Sequence, residues 1–246
     1  MSGHSKWATI KHAKGAADAK RGQVFTKFIK EISIAARMGG GNPEGNPRLR
    51  TAILKARAAN MPKDNIERAI KKGTGELEGV SYEELTYEAY APGGVAMLIE
   101  VLTDNKNRAA ADVRNILTKS GGQLATAGSV SRLFKRQGVI TMDGEKYTED
   151  QVMEAAIEGG AEDVSNSGGI IEVLTAPEDF EAVVNTLNEK SFETMSAEIS
   201  MIADADVSLD NDATAKVIRL IERLEENDDV QNVYSNISIP DGFESE

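Results

Sequence analysis

The stretch IIEVLTAPEDFEAVVNTL, residues 170–187, places a short apolar run directly before an amphipathic helix, and this order decides the fold class of the chain. Its first six residues have the length and the apolar content of a buried strand. Farther along, apolar residues recur at Phe180, Val183, Val184 and Leu187, which is the i, i+3, i+4, i+7 spacing of a helix with one buried face. The stretch therefore predicts a strand followed by a helix that packs on it.

Outward from this stretch, the same two periodicities recur on both sides. Between residues 139 and 202 they predict a strand, a helix, two strands, a helix and a strand, in that order. This β-α-β-β-α-β order is typical of a ferredoxin-like unit. The predicted strands are 139–142, 162–165, 170–175 and 197–202, and the predicted helices are 148–158 and 177–190. We therefore expect an α+β fold with at least one ferredoxin-like α/β domain.

A second α/β unit is predicted on the N-terminal side of the first. Strands at 82–90 and 95–103 are joined by Ala91-Pro92-Gly93-Gly94, which has the composition of a hairpin turn. A helix follows near residues 107–119. Farther on, Arg136-Gln137-Gly138 separates two apolar runs, so we expect a second hairpin there.

The last predicted elements are a helix at 210–226 and a strand at 230–234. One helix and one strand cannot bury their apolar faces alone, so we expect them to return to the earlier unit. The sequence thus predicts a discontinuous α/β domain of residues 77–136 plus 205–240. An acidic ferredoxin-like domain, residues 137–204, is inserted into it.

Residues 1–76 are predicted to form a basic arm followed by a domain of three short helices. Gly39-Gly40-Gly41 ends the first helix. Asn46 can cap the second helix, with Pro47 at its first position. Pro62 opens the third helix. The chain is therefore expected to contain a helical N-terminal domain and two α/β domains.

Charge is strongly segregated along the chain. Residues 1–72 contain 16 Lys and Arg but 5 Asp and Glu, whereas residues 149–246 contain 4 against 25. The formal net charge of −12 conceals this division. Such a distribution creates a directional field, in which one end of the molecule attracts polyanions and the other repels them.

The basic N-terminal part is the candidate binding surface. A phosphate backbone favours such a set of cations, because each neutralised phosphate releases condensed counterions whatever the base sequence. Trp7 could stack on an unpaired base or could fix the arm to the helices. The candidate nucleic-acid-binding residues are His4, Lys6, Trp7, Lys11, Lys14, Lys20, Arg21, Lys27, Lys30, Arg48, Arg50, Lys55, Arg57 and Lys63.

This surface also has alternative interpretations. It could be an ordinary solvated face, or it could bind an acidic protein. The acidic domain could repel nucleic acid, compete with it or bind basic proteins.

Other classes of function find little support in the sequence. Cysteine is absent, which excludes disulfides, thiolate catalysis and Cys-based zinc sites. The two histidines lie in the arm, and no phosphate-binding loop with the Gly-Lys-Ser/Thr ending exists. The longest apolar run, residues 95–99, is far shorter than the ~20 residues of a membrane span. We expect a cytoplasmic, non-enzymatic protein with no cofactor, no metal site and no membrane partner.

Several motifs spread over nearly the whole chain form a specific set. They are GHSKWA at 3–8, RG at 21–22 with FTK at 25–27, GGNP at 40–43, NMPKDNI at 60–66, YEAYAPGG at 87–94, TDN at 103–105 with Asn107 and Arg108, and GSV at 128–130. Together they resemble the YebC/PmpR family, which is related to the mitochondrial translational activator of cytochrome c oxidase subunit I.

The resemblance implies a three-domain fold and a cytoplasmic, non-enzymatic role in gene expression. Members are commonly described as DNA-binding transcriptional regulators, which is the function we expect first. Some members are instead assigned to the ribosome, where they assist translation through proline-rich stretches. Ribosomal or transfer RNA is therefore the alternative partner. A third alternative is a protein-interaction module that acts through the acidic domain.

Overall fold

The structure is a computed structural model, and it describes residues 21–240 and residue 243. The helices in this part of the chain are α1 (Arg21–Gly39), α2 (Pro47–Ala58), α3 (Lys63–Thr74), α4 (Lys106–Lys119), α5 (Glu149–Glu158), α6 (Phe180–Glu189) and α7 (Asn211–Glu225). The strands are β1 (Glu83–Tyr90), β2 (Ala96–Thr103), β3 (Gln123–Leu124), β4 (Phe134–Asp143), β5 (Asp163–Ser167), β6 (Ile170–Thr175), β7 (Thr194–Ala203), β8 (Val207–Ser208), β9 (Val230–Ser235) and β10 (Ile237–Ser238). They form a helical N-terminal unit and two α/β units, which confirms the predicted α+β class.

Helices α1, α2 and α3 make up the N-terminal unit. Asn46 caps α2 by accepting a hydrogen bond from the backbone N–H of Leu49 at 3.1 Å, and Pro47 is the first helical residue, as predicted. A Cβ at Gly73 would collide with the carbonyl oxygen of Ser33, so glycine at this position lets α3 pack closely against α1. The buried side chains between the three helices include Ile32, Leu49, Ala52, Ala56, Ile66 and Ala69.

The middle unit is a sheet of order β3-β1-β2-β9 with α4 and α7 on one face. β1 and β2 pair antiparallel from Glu83 opposite Thr103 to Tyr90 opposite Ala96, which confirms the predicted hairpin at residues 91–94. β9 comes from the C-terminal end of the chain and pairs antiparallel with β2. The core under the two helices includes Met97, Ile99, Val113, Leu117, Leu220, Ile221 and Leu224. The apolar faces of α7 and β9 are thus buried against strands that lie more than a hundred residues earlier.

The third unit is a sheet of order β5-β6-β4-β7 in which all neighbouring strands are antiparallel. Its chain order is β4-α5-β5-β6-α6-β7, which confirms the predicted ferredoxin-like pattern. Phe134, at the start of β4, packs with Ala96 and Leu98 on the face of the middle sheet opposite α4 and α7. This contact joins the two α/β units.

The hairpin predicted at Arg136-Gln137-Gly138 is wrong. β4 continues through these residues, with Arg136 opposite Met201 and Gly138 opposite Thr175. A Cβ at Gly138 would collide with the side chains of Thr175 and Phe180. Glycine is therefore needed here for close packing of α6 on β4, and not for a turn.

Candidate nucleic-acid interface

Several predicted site residues lie at or beyond the N-terminal boundary of the described structure. Arg21 is the first residue of α1, and its side chain is not described. The predictions for six others stay untested because these residues lie outside the described part of the chain: His4, Lys6, Trp7, Lys11, Lys14 and Lys20.

Lys30 lies in the interior, where α1 contacts the middle unit. Its side chain is 8% exposed, and its Nζ lies 2.5 Å from Asp229 Oδ1. The same Nζ donates to the backbone oxygens of Asp228 at 2.8 Å and Leu102 at 3.3 Å. A lysine held in this way cannot reach a phosphate in solvent. The structure therefore contradicts the prediction that Lys30 binds nucleic acid.

Asp229 is the centre of this buried contact. Its second oxygen, Oδ2, accepts hydrogen bonds from Thr103 Oγ1 at 3.0 Å and Arg108 Nη2 at 2.8 Å. Burial alone would raise the pKa of Asp229, but the hydrogen bonds from Lys30 and Arg108 outweigh it and hold that pKa below its ordinary value. The motif that contains Thr103 and Arg108 thus connects the middle unit to α1.

Two further predicted cations attach the N-terminal unit to the middle unit. Arg48 donates to Glu31 through Nε at 2.7 Å and Nη2 at 3.2 Å, and it also pairs with Glu84 of β1. Burial lowers the pKa of Arg48, but the hydrogen bonds to both carboxylates outweigh it and raise that pKa. Lys27 donates to the backbone oxygen of Glu225 at 2.6 Å. These side chains position the helices, and their charges are largely used within the molecule.

Helix α2 also faces the acidic third unit. Arg50 Nη2 lies 3.8 Å from Glu181 of α6, and Lys55 Nζ lies 3.6 Å from Glu198 of β7. All four side chains are between 40% and 77% exposed. Exposed pairs of this kind contribute about 0–1 kcal/mol each and are screened by salt. Arg50 and Lys55 therefore stay within reach of another anion.

Two predicted cations lie beside the turn that joins α2 and α3. Arg57 is exposed, and in the part of the chain that the structure describes its side chain makes no ion pair. Lys63 is 80% exposed and lies 3.4 Å from Glu67, one turn along α3. Both side chains are available to a partner in solvent.

Four cations that the predicted site did not include are equally accessible. Arg68, Lys71 and Lys72 are exposed on α3, opposite the buried Ile66 and Ala69. Their i, i+3, i+4 spacing places them on one side of the helix, and this spacing was the signal that could have identified them. The fourth is Arg37, in the last turn of α1. Among the described residues, none of the four makes an ion pair.

The accessible cations offer charge and N–H donors but no other chemistry. Within residues 21–240, no group of His, Cys, Asp and Glu side chains could hold a metal ion. Over the same range, no helix is long and apolar enough to cross a membrane. The arrangement suits phosphate groups, which lysine and arginine bind without reading the base sequence.

Two family models match the chain and together cover most of it. The first, described as the TACO1/YebC protein N-terminal domain, matches residues 5–76. The second, described as the TACO1/YebC second and third domain, matches residues 82–237.

Curated relatives and a solved structure are similar over nearly the full length. A "Probable transcriptional regulatory protein" of Treponema denticola is 68% identical over 244 residues, which is 99% of each chain. A protein of the same description from Borreliella burgdorferi is 57% identical and covers 98% of this chain and 99% of its own. The crystal structure of a conserved hypothetical protein from Aquifex aeolicus is 47% identical, with a TM-score of 0.85 over 98% of this chain and 100% of that one.

Proposed function

Because the chain belongs to the TACO1/YebC family, we propose that it regulates transcription by binding DNA through the cations of its N-terminal unit. In this proposal the chain acts in the cytoplasm and catalyses no reaction. The support is the description of its relatives as "probable transcriptional regulatory" proteins together with the accessible cations of α3 and its surroundings.

The single observation that carries the proposal is the exposed face of α3. Arg68, Lys71 and Lys72 lie on one side of this helix without a carboxylate partner among the described residues. A row of unpaired cations on a rigid helix can neutralise successive phosphates and release their counterions. The internally paired Lys30 and Arg48 do not contribute to this surface.

The acidic third unit supports a defined orientation on the polyanion. Residues 137–204 contain 2 Lys and Arg against 16 Asp and Glu. Nucleic acid is repelled by such a surface, so only the N-terminal unit is favoured as the point of contact. The cations that carry the proposal, Arg68, Lys71 and Lys72, are placed to contact phosphates, and such contacts carry no direct information on base sequence. The proposed binding is therefore driven by phosphate contacts.

The test is the salt dependence of DNA binding by the full chain. Fluorescence anisotropy of a labelled duplex would be recorded between about 50 and 200 mM salt, where phosphate-driven binding weakens steeply. We expect the triple variant Arg68→Gln, Lys71→Gln, Lys72→Gln to bind more weakly, and its log–log salt slope to be shallower by about 2–3 units.

The matched control removes three cations from another helix. Lys216, Arg219 and Arg223 are exposed on α7, and their replacement by glutamine changes the net charge equally. If this control weakens DNA binding as much as the α3 variant, net charge and not the α3 face drives binding, and the proposal fails. A structured RNA that binds more tightly than the duplex would assign the polyanion to RNA.

A further inference from the structure

A cleft of about 150 Å³ lies between the C-terminal halves of α1 and α3 and the segment that leads into β1. This volume is about ten times the ~15 Å³ that a single water requires, so a tetrahedral oxyanion fits. The side chains and glycines that line it include Ser33, Arg37, Lys72, Gly73, Gly79 and Ser81.

The lining of the cleft is positively charged. Arg37 and Lys72 both line it, and no carboxylate among the described residues does. Neither cation makes an ion pair with any residue that the structure describes. Within the described part of the chain, the two charges are thus not neutralised by a carboxylate.

Arg37 is held in place by neutral acceptors. Its Nη1 donates to Ser81 Oγ and to the backbone oxygen of Tyr82, the latter at 3.3 Å. Because Ser81 Oγ accepts this hydrogen bond, its own O–H is left to donate to another group. The guanidinium has five N–H donors, so it also keeps donors for a ligand. Arg37 and Ser81 together form a preorganised pair of donors.

Two glycines shape the walls. A Cβ at Gly79 would lie 3.2–3.3 Å from the methylene carbons of Lys72, so glycine leaves room for the lysine stem against the segment before β1. Gly73 allows the close approach of α1 and α3 described above. Arg37, Lys72 and Ser81 thus line one cleft, and guanidinium, ammonium and hydroxyl groups are donors from which phosphate oxygens accept hydrogen bonds.

We propose that this cleft, formed by Arg37, Lys72 and Ser81, binds a phosphate group. That phosphate belongs either to the backbone of bound DNA or to a free or terminal phosphate. In the first case the inference rests on the proposed function, and the cleft is the site where the protein holds one DNA phosphate most tightly. In the second case it describes an independent ligand site.

The first experiment uses the full chain and inorganic phosphate as the probe. Amide chemical shifts of Gly79 and Ser81 would be followed by NMR as phosphate replaces chloride at constant ionic strength. We expect saturable shifts in the wild type and a roughly tenfold higher Kd in Lys72→Gln, because a charge-assisted hydrogen bond is lost. Lys119→Gln is the control, since Lys119 is also an exposed lysine in the last turn of a helix but does not line the cleft.

The outcome of this titration decides the assignment. Shifts that fail to saturate, or an equal Kd in wild type and Lys72→Gln, would overturn it. Arg37→Lys is a second variant that retains the charge but loses the planar donors, and we expect a Kd between those of the wild type and Lys72→Gln. A Kd for Arg37→Lys equal to that of the wild type would contradict the role of the guanidinium.

A parallel titration with duplex DNA identifies the source of the phosphate. If a backbone phosphate occupies the cleft, Lys72→Gln should lose several times more DNA affinity than Lys71→Gln, its exposed neighbour outside the cleft. Equal losses would assign the cleft to a free or terminal phosphate. Saturable phosphate binding without DNA binding would refute the proposed function alone, and DNA binding without saturable phosphate binding would refute the cleft alone.

Discussion

Replacement of Lys30 by methionine tests the buried contact between α1 and the middle unit. Methionine keeps a similar length but removes the charge and all three hydrogen bonds, to Asp229, Asp228 and Leu102. Loss of one partner from a buried ion pair typically costs about 3–5 kcal/mol. Asp229 keeps its hydrogen bonds from Thr103 and Arg108, so we expect the lower end of that range, about 3 kcal/mol.

The assay is thermal unfolding followed by circular dichroism. In a chain of this size, 1 kcal/mol shifts Tm by about 2–4 °C, so Lys30→Met should melt about 6–12 °C below the wild type. Lys63→Met is the matched control, because Lys63 pairs with Glu67 at the surface and is 80% exposed. Its loss should cost less than about 0.5 kcal/mol. If both variants melt together, the contact around Lys30 does not stabilise the fold and the reasoning is refuted.

Three further changes test other contacts. Asp229→Asn should make the free energy of unfolding depend less on pH in the acid range. The pKa of Asp229 is lowered in the fold, so its carboxylate stabilises the fold above about pH 4. In the wild type this stabilisation is lost as the pH falls through the lowered pKa. Parallel stability curves for variant and wild type, measured by urea unfolding across the acid range, would contradict this. The double variant Glu181→Gln, Glu198→Gln removes the carboxylates opposite α2. Its DNA affinity, measured by anisotropy, should be about two- to fivefold higher than that of the wild type at low salt and equal to it at high salt. Glu189→Gln, also on α6, should leave the DNA affinity unchanged. Gly73→Ala should destabilise the chain by about 1–3 kcal/mol, because the new Cβ meets the backbone of α1, and an unchanged melting curve would show that α1 and α3 can separate without cost.

Local patterns in the sequence were sufficient for most elements. The start of α2 is encoded by Asn46 and Pro47, which satisfy a free N–H and preset the backbone angle. The hairpin at residues 91–94 and the ferredoxin-like order also depend on neighbours within a few residues. At residues 136–138 the determinant was a distant neighbour, and there the prediction failed. The glycine at position 138 has the composition of a turn, so a hairpin was predicted there. Its real determinant is the pair of side chains Thr175 and Phe180, which leave no room for a Cβ. Both lie almost 40 residues or more away in sequence, so no local pattern reveals them.

The candidate site divides in the same way. Composition and helical spacing determined that the N-terminal part is cationic, because charge is a property of each residue type and periodicity selects the exposed face. Only the tertiary structure decided which cations stay accessible. Lys30 is not available to a ligand because its Nζ binds Asp229, 199 residues away. Arg68, Lys71 and Lys72 are available because α3 exposes that face to solvent. A charge is set by the residue itself, but its partner is set by which distant segments the fold brings within hydrogen-bonding distance.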